Sequence, residues 1–462
     1  MNNISINEAA KKYFADEAIK AQAISDLAEI IAVPSVAGDA EGIYPYGKNC
    51  ALALDKAKEL CEKYGFTTVN HDYHCMSVLF GDSEREIGIV CHLDVVPAGD
   101  GWSVEPYALT RQNGLLLGRG THDDKGPFIQ ALYTLRFFKE NGIKLPFTIR
   151  LILGSDEEVG SSDLEYFVKV CKPPMFSFTP DSEFPVCIGE KTIVSLAVEY
   201  DNVPDCIVEL NGGTVPNAVA GYAYAVVKTD KKLASTKSIS VSSVENGIKI
   251  EAVGKAAHAA MPESGVNAIA LLCGYLLENG VVESKGAFDL IAASTAEYLG
   301  KTLGINASNE DFGYLTCVGG VISLANGKLI QSYNIRSLPE TPVEQIKASV
   351  ENAVSAFGGK VVAFGDSQGY FVSADDEKIK ALTEACESVL GIECKPYTMG
   401  GGTYARWLPN TVAFGSGIES ERGYLGSERG NAHQRDEYIS EKELFTGMEI
   451  YSRAIGNLSK IV

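Results

Sequence analysis

Four apolar runs in this chain stop abruptly at a carboxylate or an imidazole, and that pattern limits what the chain can fold into. "IGIVCHLD" ends a β-branched run on His92, with Asp94 two residues on. "FTIRLILGSDEE" ends at Asp156, Glu157 and Glu158, and "MFSFTPD" at Asp181. "LLLGRGTHDDKGPF" sets Asp123 and Asp124 between a strand-like run and a helix start. Short apolar runs of this kind read as buried strands. Helical spacing separates them. "PFIQALYTLRFFKENG" carries Phe128, Leu132, Leu135 and Phe138 on one face, and "DEAIKAQAISDLAEIIA" and "DLEYFVKVC" repeat the rhythm. The alternation predicts an α/β fold, a mostly parallel sheet flanked by helices. Loops at the carboxyl ends of parallel strands converge on one crevice. His92, Asp123, Glu157, Glu158, Asp181 and His433 of "GNAHQRDEYIS" are therefore expected to meet there.

Past Gly189 the character changes. Alternating strands ("TIVSLAVEY", "GIKIEAVG", "KLIQSYNIRS") mix with helices such as "NAIALLCGYLLENG", an α+β pattern. Helical spacing returns at "ADDEKIKALTEACESVLG", followed by the buried run "TVAFG". A chain of 462 residues exceeds the usual single core. The expected organisation is a discontinuous catalytic domain, residues 1–190 plus 372–462, interrupted by an inserted α+β lid domain at 191–371. The formal charge of −20 argues against nucleic acid or an anionic membrane as partner. No apolar stretch is long enough to cross a bilayer. "MNNISINEAAKKYF" lacks the apolar core of a signal peptide, and the 11 cysteines have no CxxC spacing. Reduced thiols and a cytoplasmic location are expected.

Carboxylates packed together without a cation repel and raise one another's pKa values. Two divalent ions sharing one carboxylate remove that cost. Imidazole with carboxylate favours Zn2+, with Mn2+ or Co2+ as substitutes. One residue must bridge, two pairs must complete the ions, and one acid must stay free to move a proton. The adjacent Glu157 and Glu158 suit such a split, and Asp94 is placed to hold the far nitrogen of His92.

"HLDVVPAGDGW", "GRGTHDDKGP", "DEEVGSSD", "PDSEFP", "GKAAHAAMPESGVNA" and "GGGTYAR", in this order, resemble the dinuclear metallopeptidases of the aminoacylase, acetylornithine deacetylase and carnosinase family. The likeness is strongest to its bacterial, carnosinase-like Xaa-His dipeptidases. The resemblance implies that Asp123 bridges two metals across a cis bond to Asp124. His92 and Asp181 then complete one ion, and Glu158 and His433 the other. It implies Glu157 as general base, Asp94 as the group orienting His92, and His258 as the oxyanion donor, with Asn217 beside it. Arg336 is implied as the clamp for a substrate carboxylate, and the loop holding Gly401, Gly402 and Thr403 as a contact to the substrate backbone. The insertion is roughly twice that of the family's deacylases, as in the dipeptidases whose doubled lid imitates a dimer within one chain. That favours a monomer acting on dipeptides. An N-acyl-amino-acid deacylase is the alternative enzyme, and a metal-dead binding protein is the non-enzyme alternative.

Overall fold

The run Ile87–Cys91 forms the strand Glu86–His92, buried at every position after Glu86. The computed structural model describes residues 3–462, with side-chain environments from residue 6 onward. Met1 and Asn2, which head the stretch read for a signal peptide, lie outside the described residues. The chain forms two compact units. One comprises Met1–Gly189, Val372–Tyr397 and Thr403–Val462; the other comprises Glu190–Phe371 and Thr398–Gly402.

In the first unit the strands lie in the order Thr67–His71, Cys75–Phe80, Thr148–Gly154, Glu86–His92, Phe176–Thr179, Thr411–Ala413. The last four are mutually parallel. The first two are antiparallel, an edge that the reading of a mostly parallel sheet does not include. The reason is local: only residues 72–74 link them, with Asp72 and Tyr73 at positive φ, and so tight a turn joins only antiparallel neighbours. In the parallel part His92 is paired with Gly154, which sets two strand ends level.

The helix Lys125–Glu140 is buried at every residue from Lys125 to Phe138, rather than on the single face its apolar spacing suggests. Helix Glu441–Leu458 packs on its other side, and Gln130 Nε2 donates to the carbonyls of Glu443 (3.2 Å) and Leu444 (3.3 Å). Such bonds make the burial of polar residues tolerable. The second helix starts with a capping box in which Ser440 and Glu443 each satisfy a backbone N–H of the other.

The second unit is built on an antiparallel sheet in the order Ile239–Val244, Gly247–Val253, Tyr222–Val227, Ile207–Gly212, Ile322–Ala325, Lys328–Ser337, Thr192–Tyr200, Gly359–Ser367. Its halves meet through Asn211↔Ser323 and Gly212↔Ile322. Helices Ala268–Glu278, Ala287–Ala296 and Val343–Ser355 contribute Leu272, Ile291 and Val350 to one core with Leu210, Ile250 and Tyr333.

Gly88 faces Ser177 across the parallel sheet, and a Cβ there would press on Ser177 Oγ and lie 2.9 Å from its Cβ. Gly88→Ala is expected to cost about 1–3 kcal/mol through overpacking. Adding Ser177→Gly should recover part of that loss. Urea denaturation of the single and double variants measures both.

Candidate active site

Three strands of the parallel sheet, Glu86–His92, Thr148–Gly154 and Phe176–Thr179, lead into His92, Glu157 with Glu158, and Asp181. The His92 imidazole is fixed first. Its Nδ1 lies 3.0 Å from the Asp94 carbonyl, which can only accept, so Nδ1 carries the proton and Nε2 is left for the site. Nε2 stands 2.9 Å from Asp123 Oδ1 and 3.9 Å from Asp181 Oδ2. On the other side of Asp123, Oδ2 lies 2.9 Å from His433 Nε2, which is itself 3.1 Å from Glu158 Oε2. Asp123 thus belongs to two groups, His92–Asp123–Asp181 and Asp123–Glu158–His433. In each, the ligand-type atoms lie within 4.8 Å of one another. The Asp123–Asp124 peptide bond is cis.

Asp94 meets His92 with its main chain and its side chain. Its carboxylate is 3.4 Å from His92 Nδ1, farther than its own carbonyl. The carboxylate also accepts the backbone N–H of Glu157 (3.2 Å) and of Glu158 (3.0 Å), because the chain turns over it as it leaves the neighbouring strand. It therefore orients the Glu157–Glu158 segment as well as facing His92, which its carbonyl also holds. Asp124 Oδ2 accepts the His92 N–H at 3.0 Å. Asp156 turns away and bonds Ser162 N (3.0 Å) and Oγ (2.7 Å).

Glu437 was not among the expected residues. Fully buried, it accepts the N–H groups of Gly120 (3.0 Å), His122 (2.9 Å) and Asp123 (3.1 Å) on Oε1, and Arg119 Nη1 (2.5 Å) on Oε2. One carboxylate therefore cradles the turn that presents Asp123. Its only sequence signal was the one used elsewhere, an acid abutting an apolar strand, here Tyr438–Ser440. His122 is not in either group. Its Nδ1 accepts Arg422 Nη2 at 3.0 Å, and burial, with the Arg422 charge added, holds the ring down to about 3. His71 and His74 are structural: the first bonds Ser77 Oγ, and the second bonds Tyr46 and stacks on Tyr166.

The remaining expected residues sit elsewhere. Asn217, His258, Arg336, Gly401 and Gly402 belong to the second unit. There Ala218 bridges to His258, and Ala259 N donates to the Asn217 carbonyl at 2.9 Å. The backbone of Ala260 donates to His258 Nδ1 at 3.2 Å. Gly400 is close enough to Ala260 that an added Cβ would lie 3.0 Å from the alanine's own. Arg336 Nη1 donates to the Gly400 carbonyl at 3.1 Å, and its Nε to Asn334 Oδ1 at 2.9 Å. Thr403 lies in the first unit, where its hydroxyl accepts Ala405 N and caps the turn Tyr404–Arg406.

The electrostatics show what the cluster requires. Burial, then the charges of Glu158, Asp123 and Asp94, push the Glu157 carboxyl well above the usual range despite the pull of His92. Burial and Asp123 raise Glu158 and Asp181 in the same direction. Burial pulls His92 down, but hydrogen bonds to Asp123 and Asp94 overcome it and hold the ring well above its ordinary value. Hydrogen bonds to Asp123 and Glu158 push His433 up to about 11. Asp123, bonded by both imidazoles, is held well below the usual carboxylate range in spite of its burial. Two imidazoles drawn into cationic form by one shared carboxylate, with further acids beside them, are a donor set that fits divalent cations in place of protons.

A helix-flanked, largely parallel sheet bearing imidazoles and carboxylates suited to two cations defines a metallohydrolase. The chain belongs to peptidase family M20/M25/M40, whose sequence model matches residues 88–457. It is 32% identical over 436 residues to the provisionally named dipeptidase YtjP of Bacillus subtilis, covering 90% of this chain and 92% of that protein. It is 30% identical over 464 residues to the provisionally named dipeptidase SAB1611c of Staphylococcus aureus, covering 95% and 97%. Human carnosine dipeptidase 1 shares the fold with a TM-score of 0.60 at 16% identity, covering 98% of this chain and 100% of its own. Aminoacylhistidine dipeptidase from Vibrio alginolyticus does so with a TM-score of 0.55 at 13% identity, covering 94% and 95%.

Glu437→Gln keeps the size of the cradle but removes its charge, and is expected to weaken divalent-cation affinity about 10- to 100-fold in calorimetric titration. A second expectation concerns the cation-free protein. Glu157, Glu158, Asp181, His92 and His433 all bind protons more tightly folded than unfolded, so the stability they contribute is lost as pH rises. The depressed Asp123 adds no slope above the carboxylate range. The melting temperature of chelated protein should fall by a few degrees between about pH 5 and about pH 9, and saturating Zn2+ should flatten that slope.

Proposed function

We propose that this protein is a dinuclear metal-dependent dipeptidase that hydrolyses dipeptides with free amino and carboxyl ends. The observation that carries the reading is the Asp123 carboxylate, shared between His92 and His433, with Glu157 tethered alongside but in neither ligand-type group. His92, Asp123 and Asp181 would hold one ion, and Asp123, Glu158 and His433 the other. Zn2+ is the assigned ion, with Mn2+ or Co2+ as substitutes. Bound there, the pair supplies Lewis acidity and makes water acidic near neutral pH. Glu157, with its raised carboxyl, takes a proton from water and returns it to the leaving amine. The Asp94 carbonyl keeps His92 in one tautomer throughout.

In the second unit, the N–H of Ala260 occupies His258 Nδ1, which leaves the neutral ring with its proton on Nε2. That supports His258 as donor to an oxyanion, with Asn217 beside it. Arg336, buried and aligned by Asn334, is assigned the substrate's carboxylate. Gly401, Gly402 and Thr403 are assigned to its backbone. The continuous sheet formed by one chain supports a monomer, and the 11 free thiols support a cytoplasmic location. Among the described residues no helix is long and apolar enough to cross a membrane.

The deciding test strips the metal, restores Zn2+ or Mn2+, and compares a free dipeptide with its N-acetylated form. Metal-dependent cleavage of the free form alone supports the dipeptidase. Preference for the acetylated form makes the protein a deacylase. Glu157→Gln should bind both ions yet lose about 100- to 10,000-fold in kcat. Arg336→Ala should raise KM for dipeptides while leaving dipeptide amides unaffected. Equal effects on both substrate classes would remove the clamp assignment.

A further inference from the structure

Arg422 is absent from the chemistry above, yet it connects two of the segments that supply the cluster. Its guanidinium is anchored on the buried Glu443, with Nη2 2.6 Å from Oε1 and Nη1 3.2 Å from Oε2. From that anchor Nη2 also reaches His122 Nδ1 at 3.0 Å, and Nε reaches Glu183 Oε1 at 3.4 Å. His122 precedes the shared acid Asp123. Glu183 lies two residues after Asp181, in the short strand Ser182–Glu183 that pairs with Ser416–Gly417. An arginine has donors only, so His122 Nδ1 must be the acceptor and the ring proton sits on Nε2. The imidazole therefore presents no lone pair at either nitrogen for a cation.

The arrangement is one-sided. Glu158 is held through its backbone by Asp94, and His433, on a separate loop, meets Asp123 and Glu158. Besides its Glu443 anchor, the Arg422 fork bonds the segments carrying Asp123 and Asp181, two of the three residues in the group around His92 but one of the three, the shared Asp123, in the other.

We infer that Arg422 is a positioning residue for the ion held by His92, Asp123 and Asp181, fixing the spacing between its two carboxylates through His122 and Glu183. This rests on the two-metal reading given above. Loss of the fork should weaken that ion about 10- to 100-fold, the range for residues that orient ligands. The ion at Glu158 and His433 should change far less.

The test is a titration of chelated protein with Zn2+, read by competition with a chromophoric chelator. Wild type, His92→Ala and His433→Ala are each compared with and without Arg422→Met. In the His433→Ala background, which retains the His92 group, Arg422→Met should weaken binding at least tenfold. In the His92→Ala background, where of the two positioned acids only the shared Asp123 remains a ligand, the loss should be several-fold smaller, and Arg422→Lys should restore part of the loss. Arg422→Met strands the buried Glu443 and risks folding. The pair His122→Ala with Glu183→Gln leaves the Arg422–Glu443 anchor intact and should reproduce the selective loss. Equal weakening in both backgrounds, or none in a folded variant, would overturn the inference. A wild type that binds fewer than two ions would instead overturn the two-metal reading.

Discussion

Everything in the first unit is organised around the cost of keeping carboxylates close together out of water. Asp123 is the point at which that cost is settled, because both of its oxygens are taken by imidazoles. Its neighbours do not share the advantage. Glu157, Glu158 and Asp181 are each pushed toward their protonated forms by burial and by Asp123 itself. A structure holding such a cluster must keep it from relaxing apart, and does so by spending further buried charges on the main chain. Asp94 grips two successive N–H groups, and Glu437 grips three along one turn. These supports are acids themselves, which is why Arg119 is buried against Glu437. The charge is layered, each shell tolerable only because of the next.

What the sequence made visible followed from locality. A buried strand that ends in an acid or imidazole is a pattern of fewer than ten residues, and the architecture of parallel sheets supplies the convergence. His92, Asp123, Glu158, Asp181 and His433 could be listed on that basis, and the structure brings them together. The supports were hidden because they depend on distant partners: Glu437 meets Asp123 across 314 residues of chain, and Arg422 meets His122 across 300. The full burial of helix Lys125–Glu140 was hidden for the same reason. Gln130, Thr134 and Arg136 lie off the apolar face that the spacing marks, yet the C-terminal helix and local hydrogen bonds cover them. Asp94 shows a finer limit. Its spacing from His92 fits an imidazole contact, but spacing does not show that the carbonyl of the same residue stands nearer, or that the carboxylate also holds the Glu157 and Glu158 N–H groups.

The second unit illustrates another economy. Its sheet is continuous although its halves touch through only two residue pairs, Asn211↔Ser323 and Gly212↔Ile322. A narrow junction of this kind behaves as a seam between two small sheets that share one chain. The expected lid residues cluster around the strand that carries Arg336. Thr316, paired with Arg336, also bonds the Ala259 carbonyl beside His258, and so ties the histidine loop to the same strand.

The order of these parts along the chain has a consequence for biosynthesis. A polypeptide leaves the ribosome from its N-terminus, and domains tend to fold as units during synthesis. His92, Asp123, Glu158 and Asp181 emerge early, but His433 and the supports Arg422 and Glu437 follow the whole inserted unit. The first unit cannot assemble its cluster until His433 has been made. A nascent or truncated chain therefore carries the acids without the geometry. Hydrolytic competence is withheld from everything around it until the chain has passed His433.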